Sequence, residues 1–226
     1  MIDQTFEWLI DNNGQVKACS PAEPYFNAVH VPTFLESLSM SRLFLGSVLS
    51  AALVCGIAGA ADTATECLKQ GDPIGAFYVT KVAGAETDGV EAGEELCYRC
   101  KWGQRPMVMV FTRKGGSKVN ELVGKLDKAV TDHKDAELRG LVTVLGDDAS
   151  TLKDQATKIA TESGAKNVAV VVAAESESGP ESYHISPTSD VTIIFANESQ
   201  VVASHSFSAD SVDIAAVMKE VEQMLN

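Results

Sequence analysis

Three five-residue runs, MVMVF (107–111), LVTVL (141–145) and VAVVV (168–172), are almost wholly apolar. A strand with one wet face alternates; one without alternation is covered on both faces, as in a parallel sheet between other layers. After the first run, Val119, Leu122, Val123, Leu126, Ala129 and Val130 recur at helical spacing and mark one face of a helix. Gly115-Gly116 break the chain ahead of it, and Ser117 is placed to cap it. After the second, Leu152, Ala156, Ile159 and Ala160 give a second helical face, with Asp148 or Ser150 as cap and Gly164 as stop. Residues 75–84, GAFYVTKVAG, alternate and predict a strand ending at Gly84. The polar stretch 175–190 reads as a loop. VTIIF (191–195) and VVASHSF (201–207) flank a short polar turn that suits an antiparallel hairpin. Ile214, Val217, Met218, Val221, Met224 and Leu225 close the chain with an amphipathic helix. Alternation of strand and helix followed by a hairpin predicts an α/β fold. It has a mixed central sheet flanked by helices on both faces, in three layers, α/β/α.

A different pattern precedes this. In MSRLFLGSVLSAALVCGIAGAAD (40–62), Arg42 is a short positive region, Leu43 to Ala58 an apolar one, and Ala58-Gly59-Ala60 a small-x-small cleavage site. That order is the signature of a secretory signal peptide, with Ala61 as the mature start. The run is shorter than the roughly 20 apolar residues of a membrane span, and Ala52-Leu53-Val54 ahead of Cys55 is a poor lipidation motif. Residues 1–39 show no sustained period and are expected to be a mis-called start or a disordered extension. The expected organisation is therefore 1–39, a signal peptide at 40–60, and one domain over 61–226. The protein is expected to be exported, periplasmic or extracellular, with no membrane attachment after cleavage. N-terminal sequencing of the natively made protein tests this, and a chain starting at Ala61 supports export.

The 226 residues include 18 Lys and Arg against 31 Asp and Glu, a formal charge of −13. Such a surface repels nucleic acid and anionic lipid, and neither is an expected partner. The five basic residues Arg113, Lys114, Lys118, Lys125 and Lys128 read as a solvated helix face, although an anion could sit at the Gly115-Gly116-Ser117 helix start.

Candidate chemistry rests on cysteine. Removing residues 1–60 removes Cys19 and Cys55, leaving Cys67, Cys97 and Cys100 in a compartment that permits disulfides. CYRC (97–100) admits three readings. As a redox dithiol it has Arg99 and Lys101 to favour a thiolate, opposed by Glu94 and Glu95; Tyr98 and Trp102 supply an aromatic rim where a substrate could rest, although their default role is packing. As a structural bridge it closes a very small loop, which constrains the unfolded chain less than a long one. A Cys67 bridge to either partner would staple better. As a metal site it supplies two thiolates and needs two more ligands; Cys67, His133, His184 and His205 are available but have no motif spacing.

The strand order together with a CxxC resembles the thioredoxin-like superfamily, its extracytoplasmic members and the related peroxiredoxins. LKQGDPIGAFYVTKVAG (68–84) is similar to the lead-in of that group, GQRPMVMVF (103–111) to its entry into the first central strand, and VTIIFANESQVVASHSF to its closing hairpin. CYRCKWGQRP resembles an exported group associated with planctomycete bacteria. The resemblance covers roughly residues 66–226. It implies a thioredoxin-like fold, no cofactor, protein thiols or disulfides as partners, and exchange in which Cys97 attacks and Cys100 resolves. The contrasting implication is a non-catalytic binding or scaffold domain with permanently oxidised cysteines. Two departures stand out. The family's cysteines follow the central strand, but TRKGGSKV (112–119) has none. The dithiol, lying upstream of that strand, is expected at the opposite end of the sheet unless Lys101–Pro106 folds back. Aligned without gaps, the family's cis-proline position falls on Val191, while Pro187-Thr188 offers the right dipeptide but needs an insertion; at Val191 an ordinary trans bond is expected, because a cis bond before a non-proline residue costs about 2.5–4 kcal/mol.

Overall fold

The computed structural model describes residues 8–10, 16–18 and 68–226. Residues 40–60, expected to be a signal peptide, and Cys19, Cys55 and Cys67 lie outside the described residues. Within 1–39, two short strands pair antiparallel, β1 (Trp8–Ile10) and β2 (Val16–Ala18), which the sequence pattern does not anticipate.

The main sheet has seven strands: β3 (Val79–Gly84), β4 (Glu95–Leu96), β5 (Met107–Thr112), β6 (Arg139–Val144), β7 (Ala169–Ala173), β8 (Val191–Asn197) and β9 (Gln200–Phe207). Their spatial order is β4-β3-β7-β6-β5-β8-β9. The three apolar runs become β5, β6 and β7, which pair in parallel at the centre, with antiparallel strands on both flanks. Every residue of β5 and β7 is buried, as continuous hydrophobicity requires. The β8–β9 turn places Glu198 and Ser199 at φ 52° and 68°, the two left-handed residues of a tight hairpin whose twist matches its strands.

Helices α2 (Ser117–Asp132), α3 (Ala149–Ser163) and α4 (Ile214–Leu225) follow the expected spans. Asp148 caps α3 through the Ser150 amide, and Gly164 ends it in the left-handed region. Ser117 does not cap α2; it is the first helical residue, after Gly116. Helical segments occur on both faces, but unevenly. Val108, Val110, Val142, Val170 and Ile193 meet all three long helices on one face. Successive right-handed crossovers that step the same way across a sheet place their helices on the same side, and β5–α2–β6 and β6–α3–β7 both step toward β3. Met107, Met109, Phe111 and Val171 on the other face meet the segment 68–77, Tyr183 from the 175–190 loop, and a five-residue helix, α1 (Tyr98–Trp102).

His205 on β9 lies between Phe195 and Phe207, with ring separations of 5.8 and 6.2 Å. Its Nε2 finds no hydrogen-bond partner among the described residues. Burial lowers its pKa, with only partial compensation from Glu220 on α4. The unfolded chain therefore takes up a proton near pH 6.5 that the fold resists, so stability declines as pH falls through that value. Urea unfolding at pH 7.5 and pH 5 should show this loss, and His205→Phe should reduce it; equal pH slopes would refute the assignment.

Candidate functional site

The site grows from the far rim of the sheet. Strand β4 is two residues long and pairs with β3, Leu96 opposite Val79 and Glu95 opposite Thr80. The chain then turns into α1 with Cys97 as its N-cap, and the Cys97 Sγ accepts the Cys100 N–H at 3.1 Å. Cys97 and Cys100 are joined as a disulfide, with Cα atoms 5.2 Å apart. Lys101 donates its N–H to the Cys97 carbonyl and Gly103, at φ 67°, closes the helix onto Arg99. Cys97 is only 8% exposed, whereas Cys100 is exposed.

Register places this disulfide in the sheet. Glu95 is opposite Thr80, Thr80 opposite Val172, Val172 opposite Val144, and Val144 opposite Thr112. Those five residues form one rung, so Cys97 leaves β4 at the end where the parallel strands finish. The dithiol thus lies at the same end as 112–119, not the opposite end, because α1 and residues 103–106 carry the chain back to the start of β5. It is nonetheless four strands away from β5, about 19 Å at roughly 4.8 Å per strand. The bond before Val191 is trans, as all described peptide bonds are.

Beneath α1 is a polar network that the sequence pattern did not single out. The Lys81 ammonium, 5% exposed, donates to Asp88 Oδ1 at 2.8 Å, the Val90 carbonyl at 2.7 Å and the Ala85 carbonyl at 3.0 Å. Three donors meet three acceptors. Asp88 Oδ1 also takes the Val90 N–H, and Oδ2 takes the Tyr98 hydroxyl at 2.5 Å. Burial, then this bond to Asp88, pushes the Tyr98 phenol well above its ordinary range. The network ties the 85–93 loop to the second residue of CYRC. A lysine on the same inward parity as Val79, followed by an aspartate in the next turn, was the available signal.

Of the two roles open to Tyr98 and Trp102, the structure shows packing. Tyr98 and Trp102 are buried, their rings 4.7 Å apart, and pack on the sheet. Tyr78, the residue before β3, is 60% exposed. Arg99 donates from Nε to the Ile74 carbonyl, while Lys101, Glu94 and Glu95 are exposed. A cleft of about 610 Å³ opens beyond α1, lined by Lys101, Arg105, Lys134 and Arg139 against Asp88 and Glu137.

Other candidate groups are engaged elsewhere. Lys114 pairs with Asp190, Lys118 with Glu121, Lys128 with Asp132, and Arg113 donates to the Glu177 carbonyl. His133 meets Glu222, and His205 belongs to the helix-covered core. Among the described residues, no group of three or more His, Cys, Asp or Glu side chains is arranged to hold a metal. No described helix is long and apolar enough to cross a membrane.

No family model and no curated protein matches this chain by sequence. Solved structures do match. The thioredoxin domain of a Bacteroides vulgatus thiol-disulfide oxidoreductase is 18% identical and superposes with a TM-score of 0.50, covering 70% of this chain and 99% of its own. A thiol:disulfide interchange protein from Bacteroides sp. is 17% identical with a TM-score of 0.51, over 70% and 91% of the two chains. Mycobacterium bovis AhpC is 11% identical with a TM-score of 0.54, over 71% and 99%. The fold is thioredoxin-like. At these identities the likeness establishes architecture alone.

Proposed function

We propose that this protein is an exported thiol-disulfide exchanger acting on protein thiols or disulfides through Cys97 and Cys100. The observation that carries the reading is a CxxC disulfide at the start of α1 with one of its two cysteines open to solvent. Arg99 and Lys101 beside it favour a thiolate. Residues 40–60 supply the export signal.

The reduction potential of the Cys97/Cys100 pair tests the proposal. A value above about −300 mV, with insulin reduction lost in Cys97→Ser and Cys100→Ser, is the expected result. A lower value identifies a structural bridge on a non-catalytic binding domain. The burial of Cys97 and its anchorage through Tyr98 favour that second reading.

A further inference from the structure

We infer that Cys100, the second cysteine of the pair, is the sulfur that meets the partner, and that Cys97 resolves. This rests on the exchange reading above and reverses the order of roles that the family resemblance implies. Disulfide exchange is an in-line displacement: the attacking thiolate approaches one sulfur along the S–S axis while the other sulfur leaves. Cys100 is exposed, and Cys97 is buried, with 8% of its surface open. Attack on Cys100 comes from solvent; attack on Cys97 has to pass the packing that covers it.

Two further features support the same direction. Cys100 and Lys101 are both exposed, and a nearby ammonium lowers a thiol's pKa, whereas Cys97 is buried. The Cys97 Sγ accepts the Cys100 N–H at 3.1 Å. A sulfur holding a hydrogen bond while bridged is already solvated by the protein when it departs as an anion.

Written out, a partner thiolate bonds to Cys100 Sγ, the Cys97–Cys100 bond breaks, and its electron pair leaves on Cys97 Sγ. A second partner thiolate then attacks the partner sulfur of the mixed disulfide. It expels Cys100 as thiolate and closes the partner's disulfide. Two electrons pass from partner to protein, and the two partner protons pass to Cys97 and Cys100. In reverse, the Cys100 thiolate opens a partner disulfide, and Cys97 then attacks Cys100 Sγ and releases the partner as a dithiol.

The test uses the full chain with glutathione as probe. Reduced Cys97→Ser and Cys100→Ser proteins are exposed to glutathione disulfide, acid-quenched and digested with trypsin, which cuts after Arg99 and so separates the two positions. The expected result is an adduct on Cys100 of Cys97→Ser that forms on the order of tenfold faster than one on Cys97 of Cys100→Ser. Oxidised wild-type protein, briefly treated with reduced glutathione, should carry the adduct on Cys100, which covers any misfolding of the variants. Faster reaction at Cys97 in either format overturns the assignment and leaves exchange intact. Absence of any adduct at both positions overturns the exchange reading together with this one.

Discussion

Lys81→Met should cost about 3–5 kcal/mol of stability, the usual consequence of removing one partner from a buried ion pair. The loss comes less from the attraction that disappears than from what remains. Asp88 is left with a charge in a site only 11% exposed, the Val90 carbonyl loses its donor, and the Ala85 carbonyl keeps only the Asp88 N–H. Removing both charges, as Lys81→Met with Asp88→Leu, should recover part of the deficit, since an apolar pair leaves no uncompensated ion. Because Asp88 also holds the Tyr98 hydroxyl, the near-ultraviolet dichroism of Tyr98 and Trp102 should weaken in Lys81→Met even under conditions where the variant stays folded. Urea midpoints measure the first effect. A loss below about 1 kcal/mol would mean that the network opens to water and is not a buried unit.

Asp127→Ala should lose about 2–3 kcal/mol near neutral pH. Asp127 projects from α2 to the chain entering β7. Its Oδ1 accepts the N–H groups of Lys166, Asn167 and Val168 at 2.8, 2.6 and 2.9 Å, and Oδ2 accepts the Asn167 side-chain amide at 3.0 Å. Burial alone would raise this carboxyl; the converging amides more than offset it and hold its pKa below the ordinary value. The contribution is therefore complete above about pH 4, the unfolded value, and is lost as pH falls through the lower folded one. The gap between wild type and Asp127→Ala should narrow in acid. Asp127→Asn, which keeps one acceptor, should lie between them. A gap of the same size at pH 3 and pH 7 would exclude a role for the ionised carboxylate.

Local chemistry was legible in the sequence where one residue decides the outcome. Unbroken apolar runs gave β5, β6 and β7; heptad-like spacing gave α2 and α4; Asp148 and Gly164 bounded α3. What stayed hidden depends on pairing across distance. Nothing in Glu95-Leu96 announces a strand, since two residues carry no period and β4 exists only because β3 lies beside it. The end of the sheet at which Cys97 emerges follows from the antiparallel docking of β3 on β7, a choice the residues between 84 and 95 do not encode. Tyr98 and Trp102 could pack or form a rim, because aromatics near a cysteine are ambiguous until burial is known; Tyr78, in an apolar lead-in, is the exposed ring. How the helices divide between the two faces was hidden for a similar reason, because the direction of each crossover belongs to the topology, not to the helix it carries.

The two-residue length of β4 constrains recognition at this border. A bare backbone edge usually invites a visiting chain to zip on as an additional strand. Here the outermost rail ends before a second pair of amides could engage, and the next residue is already committed to the bridge. Under the proposed exchange, a polypeptide arriving at Cys100 is held by side-chain contour and charge, so selectivity is written in the few residues around its own cysteine and not in its capacity to extend the sheet.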